Sequence, residues 1–162
     1  MPQIILNGKI TESPFTPVDG VDVDLQAGNL LLPLKVWQEN RGQLAGRNDI
    51  GIWLDADEAV EEIADCVNEF PVIALRFPTF FDGRSLSSAN ILRRKYGFTG
   101  ELRAIGDVRR DQVDQMQRCG FTAFQPGDSQ DPENVLLGLT GFTYAYQTAV
   151  DRPGPLFRLR SP

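Results

Sequence analysis

The chain has 162 residues, of which 41% are hydrophobic and 23% charged, which is enough apolar sequence to fold around one core. Its formal net charge of −6 argues against binding to nucleic acid or to an anionic membrane surface, because both require a concentrated basic face. No apolar run approaches the roughly 20 residues that span a bilayer, and the N-terminus lacks a signal-peptide pattern, so we expect a cytoplasmic protein.

Residues 1–48 are predicted to form an extension that consists of a strand, a loop and a helix. Residues 3–10 form a short strand or hairpin in this prediction, because Asn7-Gly8 is a favoured hairpin turn. Residues 11–29 are rich in proline and glycine, which is typical of a loop. Pro33 suits the first turn of a helix.

Strands and helices alternate from residue 49 to residue 150, which we take as the core of a single α/β domain. The alternation predicts about four βα units, with helices opened by Asp57, by Ser85 as an N-cap, by Arg109 and by Asp131-Pro132. Such units form a parallel sheet, either open or like a half barrel, with right-handed crossovers. An exposed sheet edge would favour a homodimer, and residues 151–162 are expected to form an extended tail.

Composition also limits the chemistry. Histidine is absent, which removes the usual general base near neutral pH and the commonest ligand of haem and zinc. Cys66 and Cys119 are the only cysteines, too few for an iron–sulfur cluster, so we expect neither a metal nor a cofactor. Both thiols are expected to be reduced and mostly buried. Cys119 follows Arg118 and is a candidate nucleophile, although a helix C-terminus disfavours a thiolate.

Charged residues are concentrated where predicted strands meet the following helices. Asp55, Arg76 and Asp107 follow or end three strands, and parallel strands bring such positions to one edge of the sheet. With the helix N-termini, this edge should attract a small anion or a carboxylate-bearing partner. The residues expected to bind the anion are Arg76, Arg84, Arg109 and Arg110.

Two alternatives remain open for the acidic residues at this edge. Asp82 and Asp107 are candidate catalytic acids or bases, yet a turn and a helix cap explain them equally well. Asp55, Asp82 and Asp107 could instead hold Mg²⁺, although nothing in their spacing requires a metal. Arg93 and Arg94 lie near a predicted helix end, where a solvated pair suits the helix dipole.

The segment from Phe77 to Phe124 contains the string GELRAIGDVRRDQ and resembles the bacterial domain-of-unknown-function family nine hundred thirty-four. Its members follow the pattern FPxFxDGRxxSxAxxLRxxxGxxGELRAxGDVxxDQxxxxxRCGFxAF. The positions of this chain that match the charged, polar or small positions of the pattern are Asp82, Gly83, Arg84, Ser85, Arg93, Gly100, Glu101, Arg103, Gly106, Asp107, Asp111, Gln112, Arg118 and Cys119.

The resemblance implies a role in sulfur assimilation, since members are labelled oxidoreductases involved in sulfite reduction and are often encoded beside sulfite reductase. Sulfite reduction delivers six electrons and requires a redox centre, whereas this sequence carries no redox-cofactor motif. We therefore expect an accessory protein that acts with sulfite reductase. The alternatives are a small enzyme that uses Asp or Cys chemistry on an anionic substrate, and a structural dimeric module.

Overall fold

The computed structural model describes residues 1–79 and 83–140, which form one eight-stranded mixed sheet with helices packed against it. Its order is β2-β1-β8-β7-β6-β5-β4-β3. The strands from β3 to β8 are parallel, whereas β1 is antiparallel to both β2 and β8, so the expectation of a purely parallel sheet is wrong. The strands are β1 (Gln3–Leu6), β2 (Lys9–Glu12), β3 (Thr16–Pro17), β4 (Leu30–Pro33), β5 (Ile50–Leu54), β6 (Val72–Phe77), β7 (Glu101–Gly106) and β8 (Ala123–Phe124).

The helices of the described residues are short and follow the strands. They are α1 (Leu34–Glu39), α2 (Arg41–Leu44), α3 (Arg84–Asn90), α4 (Val113–Cys119) and α5 (Pro132–Thr140). Two 3₁₀ turns, Val60–Ile63 and Val67–Glu69, connect β5 to β6, and a π-helical turn, Ile91–Lys95, continues α3. Within residues 1–79 and 83–140, no helix has both the length and the apolar composition that a membrane crossing would require.

The sheet curls strongly into an open half barrel. β2 and β3 are its two edge strands, yet only residues 13–15 separate them along the chain. A link of this length spans at most about 14 Å, whereas the edges of a flat eight-stranded sheet lie about 34 Å apart. The short link therefore forces the two edges toward each other.

The two faces of the sheet bury different sets of residues. The outer face packs against the helices in a large apolar cluster that includes Ile52, Leu75 and Ala104. The inner face holds a second, smaller cluster that consists of Leu31, Val72, Ala74 and Ile105, with Phe15 and Trp53 packed against it. Strand alternation explains the division, because neighbouring residues of a strand face opposite sides.

Arg103 lies on the inner face and is fully buried. Its Nε donates to Glu101 Oε1 at 2.8 Å, Nη1 donates to the carbonyl of Phe15 at 3.1 Å, and Nη2 donates to Ser13 Oγ at 2.5 Å. These bonds compensate the buried charge and fix the link between the edge strands over the inner face.

Several local predictions are confirmed. The hairpin turn at Asn7 (φ 50°) and Gly8 (φ 79°) joins β1 to β2. Asp131 caps α5, since its Oδ1 accepts the backbone N–H of Glu133 at 3.2 Å, and Pro132 is the first helical residue. Gly120 ends α4 with a left-handed conformation.

Other predictions are wrong for identifiable reasons. Residues 1–48 were expected to contribute a strand or hairpin, a loop and a helix; the hairpin is present and α1 begins directly after Pro33, but the segment also supplies β3 and β4, and Pro33 is the last residue of β4. The expected helix after Asp57 is replaced by 3₁₀ turns, since Val60, Ile63 and Cys66 recur every three residues and are all buried.

Ser85 was expected to be an N-cap but lies inside α3, and its Oγ donates to the carbonyl of Arg76 at 2.7 Å. The next helix begins at Val113 instead of Arg109. Residues 141–150 of the predicted core, and the expected tail at residues 151–162, lie outside the described residues.

Candidate functional site

The carboxyl ends of β5 and β6 bring Asp55 and Arg76 together. The register pairs Leu54 with Leu75, so the next residues along each strand lie side by side on the inner face. Arg76 Nη1 donates to Asp55 Oδ2 at 3.1 Å. The guanidinium also lies over the Trp53 ring, 5.8 Å from its centroid, in a cation–π contact. The sequence-based prediction that these residues share one edge is reproduced by this geometry.

Asp55 is itself held in place by the turn that follows β5. Its Oδ1 accepts the N–H of Ala56 at 2.8 Å, and its own N–H donates to Glu58 Oε2 at 2.6 Å. Burial raises the pKa of Glu58, and the neighbouring carboxylates of Asp55 and Asp57 raise it further. A carboxyl group with a raised pKa is typical of functional sites. Glu58 was not among the site residues predicted from the sequence.

At the end of β7, the backbone of Gly106 and Asp107 passes close to the backbone of Phe77 at the end of β6. Gly106 has φ 89°, and a Cβ at this position would collide with the carbonyl oxygen of Phe77. That oxygen accepts the N–H of Asp107 at 2.8 Å. Asp107 Oδ1 in turn accepts Arg109 Nε at 2.8 Å, and this hydrogen bond raises the pKa of Arg109. This backbone contact therefore positions a second Asp–Arg pair, Asp107 and Arg109, at the same end of the sheet.

The remaining predicted residues are placed differently. Arg110 Nη1 donates to Asn134 Oδ1 at 3.2 Å, so this side chain contacts α5. Arg84 is exposed at the first position of α3. Asp82 lies outside the described residues. Its catalytic role, and the Mg²⁺ site that requires it, therefore stay hypotheses.

Gln125 is a residue of this edge that sequence reasoning missed. Its N–H donates to the carbonyl of Ala104 at 2.9 Å and so extends β8 beyond Phe124. Strand alternation then places Gln125 on the inner face, level with Ile105 and Arg76 and about 10 Å from Arg76 by strand spacing. Its Oε1 is buried and has no hydrogen-bond partner among the described residues. The sequence signal that could have identified Gln125 is the alternation of strand faces, because Ala123 and Gln125 lie on one face of β8 and Phe124 on the other.

The two cysteines do not join this edge. Cys66 is buried, and burial raises the pKa of its thiol to about 11, which disfavours the reactive thiolate. Cys119 is half-buried at the end of α4. Because α4 follows the carboxyl end of β7 and precedes the amino end of β8, Cys119 and Asp107 lie at opposite ends of the strands. A joint catalytic role for these two residues is therefore incompatible with the fold.

The comparison with known families agrees with the motif of residues 77–124. A family model described as "Bacterial protein of unknown function (DUF934)" matches residues 51–157. The chain belongs to the DUF934 family. The matched segment of this DUF934 protein runs from β5 through α5 and includes Asp55, Arg76, Asp107 and Gln125, whereas β1 to β4 precede it. A search of the curated proteins found no match.

Proposed function

We propose that this DUF934 protein is an accessory protein of assimilatory sulfite reduction. It acts with sulfite reductase through an anion-binding site at the carboxyl ends of β5 to β8. The observation that carries the proposal is the pair of half-exposed arginines, Arg76 and Arg109. Asp55 forms an ion pair with Arg76, and Asp107 forms one with Arg109, so each guanidinium is oriented by an aspartate. Sulfite, a small oxyanion, is the ligand that this site would hold.

The geometry of Arg76 suits binding of an oxyanion. A guanidinium carries five N–H donors in a planar fork, and Asp55 engages only Nη1. Trp53 and Asp55 hold the fork in one orientation, which lowers the entropy lost when an anion binds. Because Asp55 and Asp107 offset the charge of the two arginines, binding depends on donor geometry more than on net charge.

The chemistry of the chain favours a role beside a reductase. Reduction of sulfite by six electrons requires a redox centre, and such centres depend mainly on cysteine or histidine ligands or on bound organic cofactors. This chain has no histidine and two cysteines, of which Cys66 is buried with a pKa of about 11. Holding the anion and delivering it to the reductase requires none of these groups. The expected homodimer stays a prediction.

Growth on sulfate as the sole source of sulfur tests the proposal. A strain that lacks this protein should grow poorly under this condition, and the wild-type protein should restore growth. Arg76→Ala should fail to restore it. Arg41→Ala is the matched control, because Arg41 pairs with Asp65 at 3.2 Å, lies 5.0 Å from the Trp37 ring and is 48% exposed, against 46% for Arg76. Normal growth of the deletion strain, or full rescue by Arg76→Ala, would contradict the proposal.

A further inference from the structure

Arg93 stands out among the charged residues that lie away from the carboxyl ends of the strands. It was expected at a solvated helix end, but it belongs to the π-helical turn that continues α3, where Tyr96 N–H donates to the carbonyl of Ile91 at 3.2 Å. π-Helical turns are rare and frequently occur at functional sites. Here the wide turn directs the Arg93 side chain inward, toward the start of β7 and the end of α4.

The guanidinium of Arg93 is surrounded by backbone carbonyl groups. Nε donates to Gly120 at 3.0 Å, and Nη1 donates to Phe98 at 2.8 Å and to Gly100 at 2.9 Å. Its Nη2 is buried and has no hydrogen-bond partner among the described residues. Burial lowers the pKa of Arg93. The carbonyl dipoles solvate the charge, but no carboxylate in the described part of the chain forms an ion pair with it.

A cleft of about 310 Å³ opens beside this guanidinium. Its lining includes Arg93, Thr99, Gln117, Thr122 and the hairpin turn at Asn7, together with the buried rings of Phe121 and Phe124. Among the described residues that line the cleft there is no Asp or Glu. The lining therefore carries one positive charge in a protein whose net charge is −6. Its volume falls at the lower end of the range typical of small-molecule sites.

We propose that this cleft binds a small organic anion whose carboxylate, or an equivalent oxyanionic group, is paired with Arg93. The cleft lies at the amino ends of β7 and β8, since Gly100 precedes β7 and Thr122 precedes β8. It is therefore separate from the Asp55–Arg76 site at the opposite ends of the strands. The amide of Gln117 and the hydroxyls of Thr99 and Thr122 supply further hydrogen bonds, and the organic part of the ligand fills the remaining volume.

Titration of the full ¹⁵N-labelled chain with sodium benzoate tests this site. Benzoate should cause saturable chemical-shift changes at the backbone amides of Gly8, Gly120 and Thr122, with a dissociation constant of about 1 mM or tighter. Inorganic sulfate and acetate should bind about tenfold more weakly, because they leave most of the cleft unfilled.

Two isosteric variants on α4 separate this site from general electrostatics. Gln117→Glu places a carboxylate in the cleft without disturbing the carbonyl contacts of Arg93, and it should weaken benzoate binding about tenfold. Gln115→Glu makes the same charge change at an exposed position of the same helix and should leave the affinity unchanged. The absence of saturable shifts at the three amides would overturn the proposal. Equal affinity for sulfate and benzoate, or equal loss in the two variants, would also overturn it.

Discussion

Replacement of Gly106 by alanine is the sharpest test of the geometry at the end of β7. The left-handed conformation of Gly106 costs an L-residue about 1–2 kcal/mol. The new Cβ also collides with the carbonyl oxygen of Phe77, which must move, and its hydrogen bond from Asp107 is lost for about a further 1 kcal/mol. We therefore expect Gly106→Ala to lower the free energy of unfolding by about 3 kcal/mol.

Gly46→Ala is the matched control for this change. Gly46 has φ 79°, close to the 89° of Gly106, but a Cβ there would meet no atom within 4 Å. Gly46→Ala should lower the free energy of unfolding only by the conformational cost of a left-handed alanine, about 1 kcal/mol. The melting temperature should therefore fall by about 3 °C, against about 9 °C for Gly106→Ala. Urea denaturation and calorimetry measure both. Equal losses of unfolding free energy in the two variants would refute the close backbone contact between Gly106 and Phe77 that positions Asp107.

Two further predictions concern buried groups. Arg103→Ala should lower the free energy of unfolding by about 3 kcal/mol, because it releases the link at residues 13–15 and opens a cavity. Urea denaturation measures this loss. A loss below about 1 kcal/mol, which is the size expected for the exposed Arg110→Ala, would contradict the prediction. Because burial raises the pKa of Cys66 from 9.0 to about 11, the fold favours the neutral thiol. The stability that Cys66 contributes should be complete below pH 9 and lost as the pH rises through 11. Alkylation of Cys66 by iodoacetamide at pH 8 should be about 100-fold slower in the native than in the denatured protein, because the thiolate is the reacting form. Equal alkylation rates, measured by peptide mass spectrometry, would contradict this burial.

Local sequence patterns predicted the parts of the fold that depend on neighbouring residues. The Asn7-Gly8 turn, the buried strand at residues 50–54 and the Asp131 cap each follow from a short pattern. β4 could not be predicted in this way, because Pro33 is compatible with both the end of a strand and the start of a helix. The antiparallel pairing of β1 with β8 joins residues more than 110 positions apart, and no local pattern specifies it.

The candidate site was predictable to the same extent. Asp55 and Arg76 follow neighbouring strands, so topology alone placed them at one edge. The inward turn of Arg93 depends on a π-helical turn that helical periodicity does not predict. Gln125 was missed because β8 is short, and the contact that extends it comes from β7. In each of these cases tertiary contacts, which a single sequence does not display, determine the position of the side chain.

We propose that Arg76 is the residue through which this protein would act with sulfite reductase. The most direct measurement is the affinity of the purified full chain for sulfite reductase in the presence of sulfite, determined by isothermal titration calorimetry. We predict saturable binding for the wild type and for Arg41→Ala, and at least a tenfold weaker affinity for Arg76→Ala, equivalent to about 1.4 kcal/mol. Wild-type affinity in Arg76→Ala, or the absence of binding in the wild type, would contradict the account.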